Sequence, residues 1–188
     1  NTGRLVCLDT RTNEIKWQQD DLVGELGTDK QGIFTLFVDR DNDIWMYSPL
    51  GIWVYNPEQE KWLSWLTNII KRRSHNMVRA VSQDKQGRIW IGTDQDGIDI
   101  LDKKTGEVRQ LRNKTGDERS LQNNTVMVLY EDSSETMWVG TYKKGISYFN
   151  ECAFKFGAEY IGDISCIEED KEGYVWLGTN DVGIIYWN

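Results

Sequence analysis

The chain has 188 residues, enough for a sizeable core, and a formal net charge of -8. That acidic balance excludes a basic footprint on duplex nucleic acid and argues equally against docking on an anionic membrane surface. Apolar residues make up 39% of the chain, but no run approaches the roughly 18 consecutive ones of a membrane helix. The chain opens on Asn1 with no signal-peptide pattern, so it reads as a mature segment or a piece of something longer.

The first elements predicted are two strands, Arg4–Asp9 and Glu14–Trp17. From residue 33 onward one unit recurs. It opens with an alternating strand, at Ile33–Asp39, Val78–Asp84, Val126–Asp132 and Ile164–Asp170. A tight polar turn follows, as in Asp84-Lys85-Gln86-Gly87. Next comes a strand carrying Trp45, Trp90, Trp138 or Trp176. Three of these end in Gly92-Thr93, Gly140-Thr141 and Gly178-Thr179, and Tyr47-Ser48 is a degraded copy. A third strand begins at Gly51, Gly97, Gly145 and Gly183. A more polar fourth strand closes the unit, as in Lys61–Leu66 and Glu107–Leu111.

Strand-rich units repeating every 40 to 50 residues or so are blades of a β-propeller. The fold class expected is therefore all-β, with four-stranded antiparallel blades. Residues 1–24 read as the last two strands of one blade, 25–70, 71–113 and 114–157 as whole blades, and 158–188 as an incomplete one. The unequal ends leave two readings. The last blade borrows a strand from the N-terminus in a small closed ring, or the segment is an arc of a larger propeller of about seven blades. The arc is preferred.

Blades pack face to face, so both faces of an inner strand should be apolar, as in Ile89-Trp90-Ile91. Trp45, Trp90, Trp138 and Trp176 are accordingly read as inter-blade packing. Gly92, Gly140 and Gly178, with Thr93, Thr141 and Thr179, are read as strand ends where backbones crowd. Three cysteines form neither a disulfide framework nor a zinc spacing. Cys7 and Cys166 read as small core residues, and a Cys152–Cys166 bridge stays open.

These repeats resemble the two-component-regulator propeller repeat. The best stretch runs Ser120-Leu121-Gln122-Asn123-Asn124 into the strand Thr125–Asp132, then Met137-Trp138-Val139-Gly140-Thr141 and Gly145-Ile146. Residues 76–111 and 162–187 are similar, whereas 33–57 depart from the pattern. The first twenty residues match weakly and also resemble the Leu-Asp…Trp strands of quinoprotein-like propellers. The resemblance implies the periplasmic sensor region of a Bacteroidetes-type hybrid histidine kinase and response regulator, anchored in the inner membrane. It implies an oligosaccharide ligand, control of polysaccharide-utilisation genes, and a homodimer joined to further blades and downstream domains of its own chain. No cofactor is implied, and no catalytic residue in this segment.

In a propeller, the second-to-third-strand loops and the blade-to-blade links share one face. Here that first face gathers Arg72, Arg73, His75, Asp94, Asp96, Tyr142, Lys143, Lys144 and Asn180 as candidate ligand contacts, with Trp65 as a further stacking candidate. The basic groups Lys71-Arg72-Arg73 and Lys143-Lys144 would suit an anionic sugar. The opposite face collects most of the acid, including Asp39–Asp43, Glu58–Glu60, Glu131-Asp132 and Glu168–Asp170, which read as surface turns. Asp39, Asp41 and Asp43 start like a calcium loop, but Ile44 and Leu50 stand where Gly and Glu are needed, so no metal is expected. His75 is the only histidine and lacks the context of a triad, a zinc site or the catalytic His of streptogramin-lyase propellers. An enzyme, lyase or glycosidase, and a protein–protein scaffold remain the alternatives to a sensor.

Overall fold

The computed structural model describes residues 4–20, 34–48, 51–73, 77–150 and 155–187, with the backbone alone at 71–73, 155–159 and 187. The chain divides into two compact units, Asn1–Phe34 and Thr35–Asn188. In the first, β1 (Arg4–Leu8) and β2 (Ile15–Asp20) form an antiparallel hairpin. Asp9 sets its turn, accepting from Arg11 N at 2.9 Å while its own N–H donates to Glu14 O.

The second unit contains four antiparallel sheets, each with strands side by side in chain order. The first blade is β3 (Thr35–Val38), β4 (Ile44–Ser48), β5 (Gly51–Asn56) and β6 (Lys61–Trp62). The second is β7 (Val78–Gln83), β8 (Ile89–Thr93), β9 (Ile98–Leu101) and β10 (Val108–Leu111). The third is β11 (Val126–Glu131), β12 (Met137–Thr141), β13 (Gly145–Asn150) and β14 (Lys155–Glu159). The fourth shows three strands, β15 (Ile164–Glu169), β16 (Val175–Thr179) and β17 (Ile184–Trp187).

Side-chain alternation on the second strand of each sheet assembles the core. Ile89 and Ile91 pack backwards with Trp45, Tyr47 and Ile52 of the first blade. Trp90, one position along, packs forwards with Val126, Leu129 and Val139 of the third. Trp138 repeats this step against Ile164, Ile167 and Leu177 of the fourth. A strand pressed on both sides must be apolar throughout, and β8 and β12 are buried at every residue. Trp45, Trp90 and Trp138 are thus buried, whereas Trp176 on the fourth blade is 41% exposed.

The structure departs from the sequence reading after β6. Lys61–Leu66 was expected to be strand, but only Lys61–Trp62 pairs, and Ser64–Arg73 forms a helix, α1. The reason lies in the spacing of Leu66 and Ile70, both buried, with Leu63 and Ile69 half-buried beside them. That spacing makes a helical stripe against the first-blade core. Trp65 falls on the other side of α1 and is half exposed.

Cys166 is also exposed rather than in the core. Its sulfur lies over Gly178, on the side of the fourth sheet corresponding to the side that following blades cover in the second and third. Cys152 lies outside the described residues, and so does any pairing it makes. No helix among the described residues is long and apolar enough to cross a membrane.

Candidate functional site

The turns on the acidic face hold the blades together. In every blade the Asp that ends the first strand clamps the Trp six residues later. Trp45, Trp90, Trp138 and Trp176 donate their indole N–H to Asp39, Asp84, Asp132 and Asp170 at 2.8, 2.7, 2.7 and 2.6 Å. The second carboxylate oxygen accepts turn amides, as Asp132 does from Ser134 N (2.8 Å) and Thr136 N (2.9 Å). Asp39, Asp84 and Asp132 are buried, although Asp39 and Asp132 read from sequence as parts of surface turns. A buried carboxylate with three charge-assisted donors is stabilised rather than strained.

Asp39, Asp41 and Asp43 do converge, with oxygens within 4.8 Å of one another. The cation they hold is Lys103, reaching back from the β9–β10 turn of the next blade. Its Nζ lies 2.6, 2.7 and 2.7 Å from the three carboxylates. This ammonium takes the space a divalent ion would need. The Lys103 pKa is raised: burial opposes the charge, but the hydrogen bonds its ammonium donates to Asp39, Asp41 and Asp43 outweigh it. The Asp41 pKa is lowered by the hydrogen bond and charge of Lys103.

The glycines and threonines of the repeated motif are equally committed. A Cβ on Gly92 would lie 2.5 Å from Val126 Cγ1 of the next blade. A Cβ on Gly140 would lie 3.0 Å from Ile164 Cγ2 of the fourth, besides 2.5 Å from Val128 Cγ1 in its own sheet. Thr93, Thr141 and Thr179 donate their hydroxyls to Gly97 O, Gly145 O and Gly183 O at 2.9, 3.0 and 2.8 Å, closing the loop between the second and third strands.

Those closed loops meet the blade-to-blade links. Asp94 N donates to Met77 O, Tyr142 N to Thr125 O, and Asn180 N to Asp163 O. Of the candidate contacts, Asp94 is occupied by Arg79 Nη2 (2.7 Å) and Thr125 Oγ1 (3.1 Å). Asp96 pairs with Arg112 at 2.9 Å. Arg72 and Arg73 end helix α1, with side chains outside the described part of the structure, and His75 lies outside it entirely. Tyr142 and Lys144 are exposed on the β12–β13 loop.

Lys143 and Asn180 come together on this face. With Tyr160, Asp163 and Asp181 they line a cleft of about 280 Å³ between the third and fourth blades. Lys143 sits in the left-handed region (φ 54°), its ammonium 5.0 Å from the Tyr142 ring centre. The Lys143 pKa is raised, first by a hydrogen bond with Tyr142 and then by the charges around it. Asp163 accepts long bonds from Lys143 N and Asn180 Nδ2, both at 3.4 Å, while its own N–H donates to Asp181 Oδ1 at 3.0 Å. Tyr160 stands at the rim, 74% exposed. The sequence reading did not single out Tyr160 or Asp163. The one signal was an aromatic residue in a polar link, Tyr160-Ile161-Gly162-Asp163, just before a first strand.

Comparison with known proteins agrees with this architecture. The family model for the two component regulator propeller matches residues 73–95, 120–143 and 161–181. Among solved structures, the chain is similar to the extracellular domain of a hybrid two component system from B. thetaiotaomicron. The match has 18% identity and a TM-score of 0.59, over 81% of this chain and 22% of that one. It is also similar to virginiamycin B lyase from Staphylococcus aureus, solved with quinupristin (12% identity, TM-score 0.63, 98% of this chain and 62% of that one). A third is the propeller domain of Cps50 (Swd1) from Myceliophteria thermophila (12% identity, TM-score 0.67, 98% and 60%). At these identities the likenesses show the fold, and the chain spans only part of each protein. A search of curated proteins finds no match. The fold is a β-propeller arc, and its three matched segments are two-component regulator propeller repeats.

Proposed function

We propose that this chain is a ligand-sensing segment of the periplasmic region of a hybrid two-component sensor, with the ligand an oligosaccharide. In this reading the whole protein is a dimeric, inner-membrane-anchored histidine kinase and response regulator that controls polysaccharide-utilisation genes. One observation carries the proposal. The segments matching two-component regulator repeats spend their repeated residues on packing, and leave loops of differing sequence gathered on one face. Asp94-Gln95-Asp96, Tyr142-Lys143-Lys144 and Asn180-Asp181-Val182 follow the same threonine in three successive blades yet differ at every position. A rigid scaffold carrying variable loops is the usual division of labour in recognition.

Further blades complete the propeller in this reading. Ile184 on the fourth blade is 77% exposed, whereas its equivalents Ile98 and Ile146 are fully buried under the next sheet. Signalling follows as a population shift. Ligand changes kinase output only in so far as it binds one arrangement of the sensor dimer more tightly than the other.

Calorimetric titration of the chain against a glycan panel, with chromatography of the mixture afterwards, tests the reading. The sensor account expects saturable binding with the glycan recovered intact. Release of a cleaved product would replace it with the lyase or glycosidase reading, and the absence of any glycan binding would favour a scaffold.

A further inference from the structure

We propose that the cleft lined by Lys143, Tyr160, Asp163, Asn180 and Asp181 binds an uncharged sugar ring and discriminates against acidic sugars. This deepens the reading above and rests on the first face being the saccharide-binding one.

Three features of the cleft lead there. The first is the aromatic plate. Tyr160 presents most of its ring to solvent at the rim, where folding gains little from it. Exposed aromatic faces suit the apolar C–H face of a sugar, because one side of the ligand is apolar and its edge is wet.

The second is hydrogen-bonding capacity. The cleft is rich in acceptors: two carboxylates and an Asn carbonyl against one ammonium and one amide NH₂, with the Tyr160 hydroxyl able to do either. Among the described residues, the donors to the Asp163 side chain, Lys143 N and Asn180 Nδ2, lie at 3.4 Å, too long to use its lone pairs fully. Ligand hydroxyls, which donate as well as accept, meet that demand.

The third is charge. Two carboxylates face the cleft, and the lone lysine ammonium is drawn towards the Tyr142 ring. A uronate carboxylate would enter beside Asp163 and Asp181, and like charges placed together in a binding site are strongly selected against. The basic loop residues that suggested an anionic ligand from sequence do not dominate here, since Lys143 is outnumbered, its neighbour Lys144 does not line the cleft, and Lys71, Arg72 and Arg73 belong to helix α1.

The cleft is also shaped in advance. Gly162 has φ 114°, a conformation other residues resist, and a Cβ there would lie 2.6 Å from Asp181 Oδ1. Gly162 thus admits the Asp181 carboxylate against the link, fixing it beside Asp163. Preorganised acceptors lose less on binding than flexible ones.

The test is titration of the chain with neutral hexose and pentose oligosaccharides and with matched oligouronates, for the wild type, Tyr160→Ala, Tyr160→Phe and the double variant Asp163→Asn with Asp181→Asn. The expected result is a neutral glycan bound about tenfold or more tightly than its uronate counterpart. Tyr160→Ala weakens it by about tenfold or more, while Tyr160→Phe keeps it. The double Asn variant narrows the gap between neutral and acidic ligands. Tyr160 is exposed, so its replacement leaves the fold intact, and a melting curve confirms this. Unchanged affinity of a neutral glycan for Tyr160→Ala, or a uronate bound as tightly as its neutral counterpart, overturns the cleft assignment while leaving the sensor reading standing. Binding of no glycan at all overturns both.

Discussion

Replacing Gly92 with Ala tests the blade-to-blade packing. The added Cβ would stand 2.5 Å from Val126 Cγ1 and 3.0 Å from Val126 Cβ. Carbon atoms rest at about 3.5–4.0 Å, so Val126 must retreat by roughly 1 Å, or the sheets must part. Val126 is fully buried, so it retreats only by displacing the side chains packed around it. Overpacking of this kind costs about 1–3 kcal/mol. Val126→Ala alone removes two methyl groups at about 0.8 kcal/mol each and leaves a cavity, for about 2–3 kcal/mol in all. In the double variant the new methyl at 92 enters the space vacated at 126. The double variant should therefore be about 1–2 kcal/mol more stable than the sum of the single effects predicts. Urea unfolding followed by tryptophan fluorescence measures all three. Additivity within about 0.5 kcal/mol would refute the claim that Gly92 exists to seat Val126. The same logic moves inside one sheet on the fourth blade, where Cys166 Sγ is the atom that crowds Gly178, so Cys166→Ala should relieve Gly178→Ala.

Other expectations follow from the carboxylates and hydroxyls. Lys103→Met leaves Asp39 and Asp43 buried without their counter-charge and should cost about 3–5 kcal/mol in chemical unfolding. That cost should depend on pH. The Asp41 pKa is depressed in the folded chain, so its contribution is present above the unfolded carboxylate pKa of about 3.9 and disappears as pH falls through the folded value. Stability measured from pH 7 to pH 3 should accordingly fall more steeply for the wild type than for Lys103→Met. Asp132→Ala strips acceptors from the Trp138 indole and two turn amides and should destabilise by about 1–3 kcal/mol, with a shift in tryptophan emission. Thr141→Val removes the bond to Gly145 O and should cost about 1 kcal/mol.

Strand positions were legible in the sequence because period-two alternation and the Trp-to-Gly-Thr spacing recur with little change. Helix α1 was missed because Lys61-Trp62-Leu63 alternates like a strand before the helical spacing of Leu66 and Ile70 takes over. The Asp–Trp clamps were visible as a constant offset of six residues. They were passed over because acidic residues beside a turn usually face water. What makes these buried is a partner on the neighbouring strand, and composition alone does not show such partners. The cleft was only half legible. Lys143 and Asn180 stood out as loop residues after a repeated threonine, but Tyr160 and Asp163 belong to a link. Their role comes from the hydrogen bond that brings the link against the Asn180 loop, which is a tertiary fact.

The account's central claim is that ligand meets the face where the second-to-third-strand loops join the links. Hydrogen–deuterium exchange on the chain, with and without the glycan selected by titration, tests it most directly. The account predicts slowed exchange at residues 142–144, 160–163 and 179–182, with no change at the turns 39–43, 84–88 and 132–136. Protection of those turns, with the loops unaffected, would contradict it.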